Sequence, residues 1–282
     1  MTGSKSLKLL LFALVFAVSH VVSATTNPAL AADEKIILWS WFNADDTCQS
    51  QPDNLDCAYG LAILRGRVIA GDTIARIVTV PRMAAVKHNH CLRDMAVVRL
   101  EILPDRLDLN STELDLYIER LVQSTLSLAM GSRPIQCLQI DCDARLTQRD
   151  LYARYLQTLR KRLPPQIELS ITALASWAFG DRWIAKANLP VDEVVPMYFS
   201  MGKTGSEIKH LFVAGKKPDD FGLGKRVAGL RLQELTDFLA TIEHTSLKFD
   251  RIYLFSSNGW SPQNSREAIK LVLPLLSRKK PQ

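Results

Sequence analysis

Short apolar segments bounded by glycine, proline and polar clusters recur along this chain, and from the third onward they alternate with helix-like segments. Candidate strands span Ile36–Phe42, Leu61–Ile69, Met95–Leu103, Cys137–Ala144, Glu168–Ser176, Glu193–Met201, Arg226–Leu230 and Arg251–Ser257. Helical spacing of apolar residues predicts helices over Glu113–Met130 and Thr147–Leu163, the latter opening at a Thr147 cap and stopped by Pro164-Pro165. Further helices are predicted at Asp181–Ala187, Ser206–Val213, Leu232–His244 and Ser265–Leu276, with Pro274 ending or kinking the last. Eight strands with mostly helical crossovers predict a single α/β domain, a (β/α)8 TIM-type barrel over residues 33–282. Irregularity is expected at strands two and three, which lack a helix between them, and at the weak strand seven. A doubly wound sheet is the alternative. Its glycine-rich turn is missing: Trp39-Ser40-Trp41-Phe42-Asn43-Ala44 follows the first strand instead.

With 282 residues, 47% hydrophobic and 23% charged, the chain can bury a core without metal or disulfide staples. The net charge of +6 is scattered apart from Arg278-Lys279-Lys280, which excludes a nucleic-acid-binding stripe. Lys5 and Lys8 precede an apolar run, Leu9 to Val22, and then small residues. Residues 1–31 therefore read as a signal peptide, cleaved after Val22-Ser23-Ala24 or Ala29-Leu30-Ala31. The expected location is secreted or periplasmic, with no stable membrane insertion beyond the leader; an uncleaved membrane anchor is the alternative. In an oxidising compartment Cys48 and Cys57, flanking a loop with Pro52 and Asp53, are expected to form a disulfide. Cys137 and Cys142 fall in a buried strand, where cysteine acts as a small hydrophobe. Lys87-His88-Asn89-His90-Cys91 has metal-ligand residue types but no second cluster to complete a site. It reads as a solvated loop, and no metal or other cofactor is expected.

Three successive strands carry charge that an inert core would avoid. Arg65 and Arg67 share a face at i, i+2 on the second, Arg99 and Glu101 on the third, and Asp141 and Asp143 on the fourth. An arginine–carboxylate network is the bland reading for Arg99 with Glu101. Asp141 and Asp143, at a strand's C-terminal end, lie where barrels place their active sites. At the same mouth are expected Trp177 and Asp181 after the fifth strand, Met197 and Tyr198 at the end of the sixth, and Trp260 after the eighth. Trp177 and Trp260 are the expected sugar-stacking rings, with Trp39 in the core. Asp192 and Glu193 precede the sixth strand and belong at the opposite end.

The runs Gln139-Ile140-Asp141-Cys142-Asp143-Ala144, Leu169 to Trp177 and Leu189 to Met197 resemble domain-of-unknown-function family 3142, as do Arg251-Ile252-Tyr253-Leu254-Phe255 and the later Trp260. The resemblance spans about Trp39 to Trp260 and implies a glycosidase-type barrel with no assigned substrate. A looser resemblance reaches the family 18 glycoside hydrolases, which are chitinase-like. Asp141 and Asp143 match their aspartate ladder, Met197-Tyr198 matches part of their Met-x-Tyr, and Trp260 matches their closing Trp. At the position of their glutamate acid stands Arg145, which cannot donate a proton at neutral pH. A hydrolase would then need another acid: Asp181 first, or Glu207 or Glu101.

Two functions follow. One is a secreted glycoside-hydrolase-like barrel acting on a polysaccharide, with Asp141 and Asp143 at the site. Asp143 would orient or stabilise a developing oxocarbenium or a substrate acetamido group, Tyr198 would hydrogen-bond it and Asp181 would protonate the leaving oxygen. Trp177, Met197, Trp260, Arg99 and Glu101 would bind substrate. The other is a non-catalytic carbohydrate-binding barrel that lacks the acid. A second carboxylate across the mouth from Asp143 favours the first; its absence favours the second.

Overall fold

The computed structural model describes residues 35–41, 59–71, 75–79, 94–105, 107, 109–131 and 134–277. The expected leader, the Cys48–Cys57 bridge and the Lys87–Cys91 loop lie outside the described residues. The described residues form nine strands: β1 (Ile36–Ser40), β2 (Tyr59–Ala70), β3 (Ala75–Thr79), β4 (Asp94–Ile102), β5 (Cys137–Asp141), β6 (Glu168–Leu174), β7 (Glu193–Met197), β8 (Val227–Arg231) and β9 (Arg251–Phe255). Helices α1 (Ser111–Ala129), α2 (Arg149–Arg162), α3 (Trp183–Lys186), α4 (Gly205–Val213), α5 (Leu235–Ile242) and α6 (Pro262–Val272) follow β4, β5, β6, β7, β8 and β9 in turn.

Strand order is β1-β9-β8-β7-β6-β5-β4-β2, and β1 also pairs with β2, so eight parallel strands close into a (β/α)8 barrel. All eight expected strands are present. The irregularities sit where the sequence places them. After β2, β3 folds back antiparallel on it, pairing Ala70 with Ala75 and Gly66 with Thr79. Strand β8, the weak seventh of the barrel, meets β7 at a single ladder position, Met197 with Gly229.

Helix ends follow local chemistry. Asn110 and Glu113 form a reciprocal capping box on α1, and Ser261 and Asn264 do the same on α6. Thr147 does not cap α2. It lies in a 3-10 turn, Leu146–Gln148, with its hydroxyl donating to Asp105, and the helix proper begins at Arg149. Pro274 sits in the 3-10 turn that ends α6.

Strand alternation divides the core into layers. Ile37, Trp39, Ala62, Met95, Val97, Cys137, Val195, Val227 and Tyr253 fill the barrel interior. The opposite faces of the strands pack under the helices. Val98, Leu100, Ile140 and Ile171 meet α1 and α2, while Leu38, Leu230, Ile252 and Leu254 meet the later helices. In β2 the ladder shifts between Leu64 and Gly66, so the bulge at Arg65 breaks the simple alternation that would put Arg65 and Arg67 on one face.

Candidate functional site

The interior stack ends at a cavity of about 430 Å³ at the C-terminal mouth of the barrel. Its floor is polar and buried. Trp39 Nε1 donates to Gln139 Oε1 at 2.6 Å, and Gln139 Nε2 donates to Ser170 Oγ at 3.0 Å. Below them, Glu193 accepts from Ser170, Tyr253 and Arg251. Glu193 thus lies at the end away from the mouth, as expected, and holds a buried ion pair with Arg251 at 2.6 Å. Gly229 leaves room for the Trp39 ring: a Cβ there would stand 3.2 Å from its Cη2 and from the Pro196 carbonyl.

One wall is charged. Arg99 on β4 points inward beside Asp141 on β5, their ladder partner positions. Its Nη1 donates to Asp141 Oδ2 at 2.9 Å, its Nη2 reaches Asp143 Oδ2 at 3.5 Å, and its Nε lies 3.3 Å from Glu101 Oε1. Arg67 meets the same Glu101 oxygen at 3.2 Å. The Arg99 guanidinium also rests 5.5 Å from the Trp41 ring centroid. The network reading of Arg99 with Glu101 is therefore what forms, and it takes in both aspartates. The two aspartates still differ. Asp141 is buried and also accepts from Thr172 Oγ1 at 2.9 Å, whereas the Asp143 side chain is 47% exposed at the cavity. Burial pushes the Asp141 carboxyl above the usual carboxylate range, with the Asp143 charge adding to it, against the pull of Arg99 and the Thr172 hydrogen bond. Three carboxylates together hold Arg99 above its ordinary value, although burial alone would lower it.

The other walls are apolar and aromatic: Trp39, Trp41, Phe199 and Phe255, with Leu174, Met197 and Met201. Trp41 meets Phe255 edge-on, and Phe199 stacks on Phe255 at 5.8 Å. Ser176, Ser200 and Thr204 complete the rim. Met197 is where the sequence predicts it, on the cavity wall.

Several predicted residues are elsewhere. Tyr198, one position after the inward Met197, faces the helix layer and packs among Phe179, Phe212, Phe238 and Phe249. Burial raises its hydroxyl far above the usual tyrosine range, and its oxygen does not reach the cavity. Trp177 lies in a 3-10 turn after β6, buried edge-on against Trp183 under the helices. Trp260 is buried behind β1, donating its Nε1 to the Trp39 carbonyl at 2.7 Å. Both are outside the cavity lining, and the described indole rings that line the cavity are those of Trp39 and Trp41. Asp181 accepts from Arg149 and from the Trp183 backbone N–H at the start of α3, outside the cavity lining. Glu207 is on α4, also outside the lining. Arg145 points away, bonding the Leu103 carbonyl and Asp105. The buried Cys137 and Cys142 form no disulfide among the described residues. Among the described residues no cluster of His, Cys, Asp and Glu fits a metal ion, and no helix is long and apolar enough to cross a membrane.

No protein-family model matches the chain, so the expected tie to family 3142 gains no support there. No curated protein matches either. Among solved structures, the chain is similar to a family GH18 chitinase from Chromobacterium violaceum, at 11% identity over 90% of both chains and a TM-score of 0.43.

Proposed function

We propose that this chain is an exported carbohydrate-binding barrel that holds a sugar ring in the mouth between Trp39, Trp41, Phe199 and Phe255. The supporting observation is the distribution of carboxylates. Among the described cavity-lining residues, Asp141 and Asp143 are the carboxylates, both come from the end of one strand, and both engage one arginine. Most glycosidases need a proton donor and a base or nucleophile on opposite sides of the scissile bond, about 5–9.5 Å apart, and a substrate-assisted route, in which the sugar's own acetamido group attacks, still needs the donor. The facing wall offers aromatic rings and hydroxyls instead. Such a surface suits stacking against the apolar face of a sugar, with polar groups at one edge fixing its hydroxyls. The leader at residues 1–31 would deliver the domain to a secreted or periplasmic location, where polysaccharides are met. Family 3142, with its glycosidase-type barrel, is a proposed kinship on the same footing.

Binding of the exported protein to a glycan array tests this reading. Trp41→Ala is expected to weaken any hit at least tenfold while leaving the melting temperature nearly unchanged, because Trp41 sits at the rim. Failure of every glycan to bind would end it. Hydrolysis remains the second reading, favoured by one observation: Asp143 faces the cavity half-exposed and meets Arg99 only at 3.5 Å. Release of new reducing ends from a bound glycan, abolished in Asp143→Asn, would establish that reading in place of simple binding.

A further inference from the structure

The described residues lining the cavity carry one cationic side chain, Arg99, and two anionic ones, Asp141 and Asp143. Arg99 and Asp141 satisfy each other at 2.9 Å, and the inner oxygen of Asp141 is taken by Thr172. Asp143 is turned to the opening, and among the described residues its one ion contact is a long one, to a guanidinium already engaged elsewhere. Glu101, next along the wall, is shared between Arg67 and Arg99. Facing this unbalanced carboxylate are the rings of Trp39, Trp41, Phe199 and Phe255. Aromatic faces attract cations and a carboxylate repels anions, so the two walls select the same sign of charge. The inner surface of such a cavity also amplifies that selection, because low-dielectric walls weaken screening.

We propose that the ligand is a protonated amino sugar with a free amine, whose ammonium group meets Asp143 while its ring lies against the Trp41 and Trp39 side of the mouth. This rests on the carbohydrate-binding reading and narrows it. An uronic acid or sulfated sugar would bring its charge against Asp143. An N-acetylated sugar would bring an amide N–H that can donate to the carboxylate but leaves its charge uncompensated.

Calorimetric or tryptophan-fluorescence titration of the full chain tests the proposal, using tetramers of glucosamine, N-acetylglucosamine and galacturonic acid at a pH that keeps the amine protonated. The glucosamine tetramer is expected to bind at least tenfold more tightly than the acetylated one, with the acidic tetramer weakest. Asp143→Asn is expected to bring the ratio of the first two close to one, and rising salt to shrink it in the unaltered protein. Equal or tighter binding of the acetylated tetramer would overturn the amine assignment and leave carbohydrate binding standing. A preference retained in Asp143→Asn would overturn the role of Asp143. A linear polyamine that binds as tightly as the glucosamine tetramer would overturn the sugar half of the proposal. Absence of binding by all three tetramers would remove the underlying carbohydrate reading with it.

Discussion

Asp141 and Asp143 share an arginine but not a consequence of losing it. Replacing Asp143 with Asn leaves Arg99 its bonds to Asp141 and Glu101, and the changed group is half in water. Its stability effect is expected within about 1 kcal/mol. Replacing Asp141 with Ala removes the closest partner of Arg99 and the acceptor of the Thr172 hydroxyl in a buried setting. That change is expected to cost about 3 kcal/mol, read as a drop in denaturant midpoint. The pH dependence has a definite sign. Because burial raises the folded-state value of Asp141 above its unfolded value, the stability linked to it is present below the unfolded value and lost as pH rises through the folded one. The stability of the wild type relative to Asp141→Asn should therefore decline as pH rises out of the ordinary carboxylate range. A rising difference would show that the Arg99 guanidinium outweighs burial. The inward set Arg99, Asp141 and Asp143 was legible because alternation along a regular strand fixes direction. Tyr198 shows the limit of that reading: naming Met197 and Tyr198 together ignores that neighbours on a strand face opposite ways. Trp177 and Trp260 lie in turns, where no period applies, so their direction depends on tertiary packing alone.

At the scale of elements, the strands were legible because each is a short apolar run closed by turn residues, and the helices because their apolar spacing is long and regular. The β3 hairpin was not. Its strand, Ala75-Arg76-Ile77-Val78-Thr79, exposes Ile77 and Val78, so the sequence carries no half-buried alternation to mark it. Only Gly71, just past β2, hints at the reversal. The hairpin stands on a close approach. A Cβ added at Gly66 would lie 2.8 Å from the Val78 carbonyl oxygen and 3.1 Å from a Leu128 methyl on α1. Gly66→Ala must therefore push the β3 backbone away from β2, while the Leu128 side chain gives by a few tenths of an ångström. The expected cost is about 1–3 kcal/mol, with faster amide exchange in β3 than elsewhere in the sheet. Unchanged exchange in β3 would mean that the backbone gives way inside β2 instead.

For the whole molecule, the end opposite the mouth is held by charge buried inside the barrel. Glu193 is 3% exposed and bonds Arg251, Tyr253 and Ser170, joining β7, β9 and β6 across the interior. Glu193→Ala removes the buried carboxylate that Arg251 meets at 2.6 Å and the acceptor of the Tyr253 hydroxyl, and should destabilise the protein by about 3–5 kcal/mol, measured by chemical denaturation. A cost under 1 kcal/mol would show that water replaces the carboxylate. Closure of the barrel rests on β1, which pairs with β9 on one side and β2 on the other. The Trp260 bond to the Trp39 carbonyl joins residues 221 apart in sequence, and the same Trp39 ring forms the wall of the cavity. A ring of staves has one joint that is made last, and here that joint unites the two ends of the chain. Contacts so distant in sequence reward the chain only after nearly all of it is in place, so closure belongs to the late, slow part of folding. The Trp39 wall of the cavity therefore does not exist in any partly assembled barrel, and a ligand bound there as proposed would act as a clasp on the seam, slowing the first opening step of unfolding rather than speeding assembly.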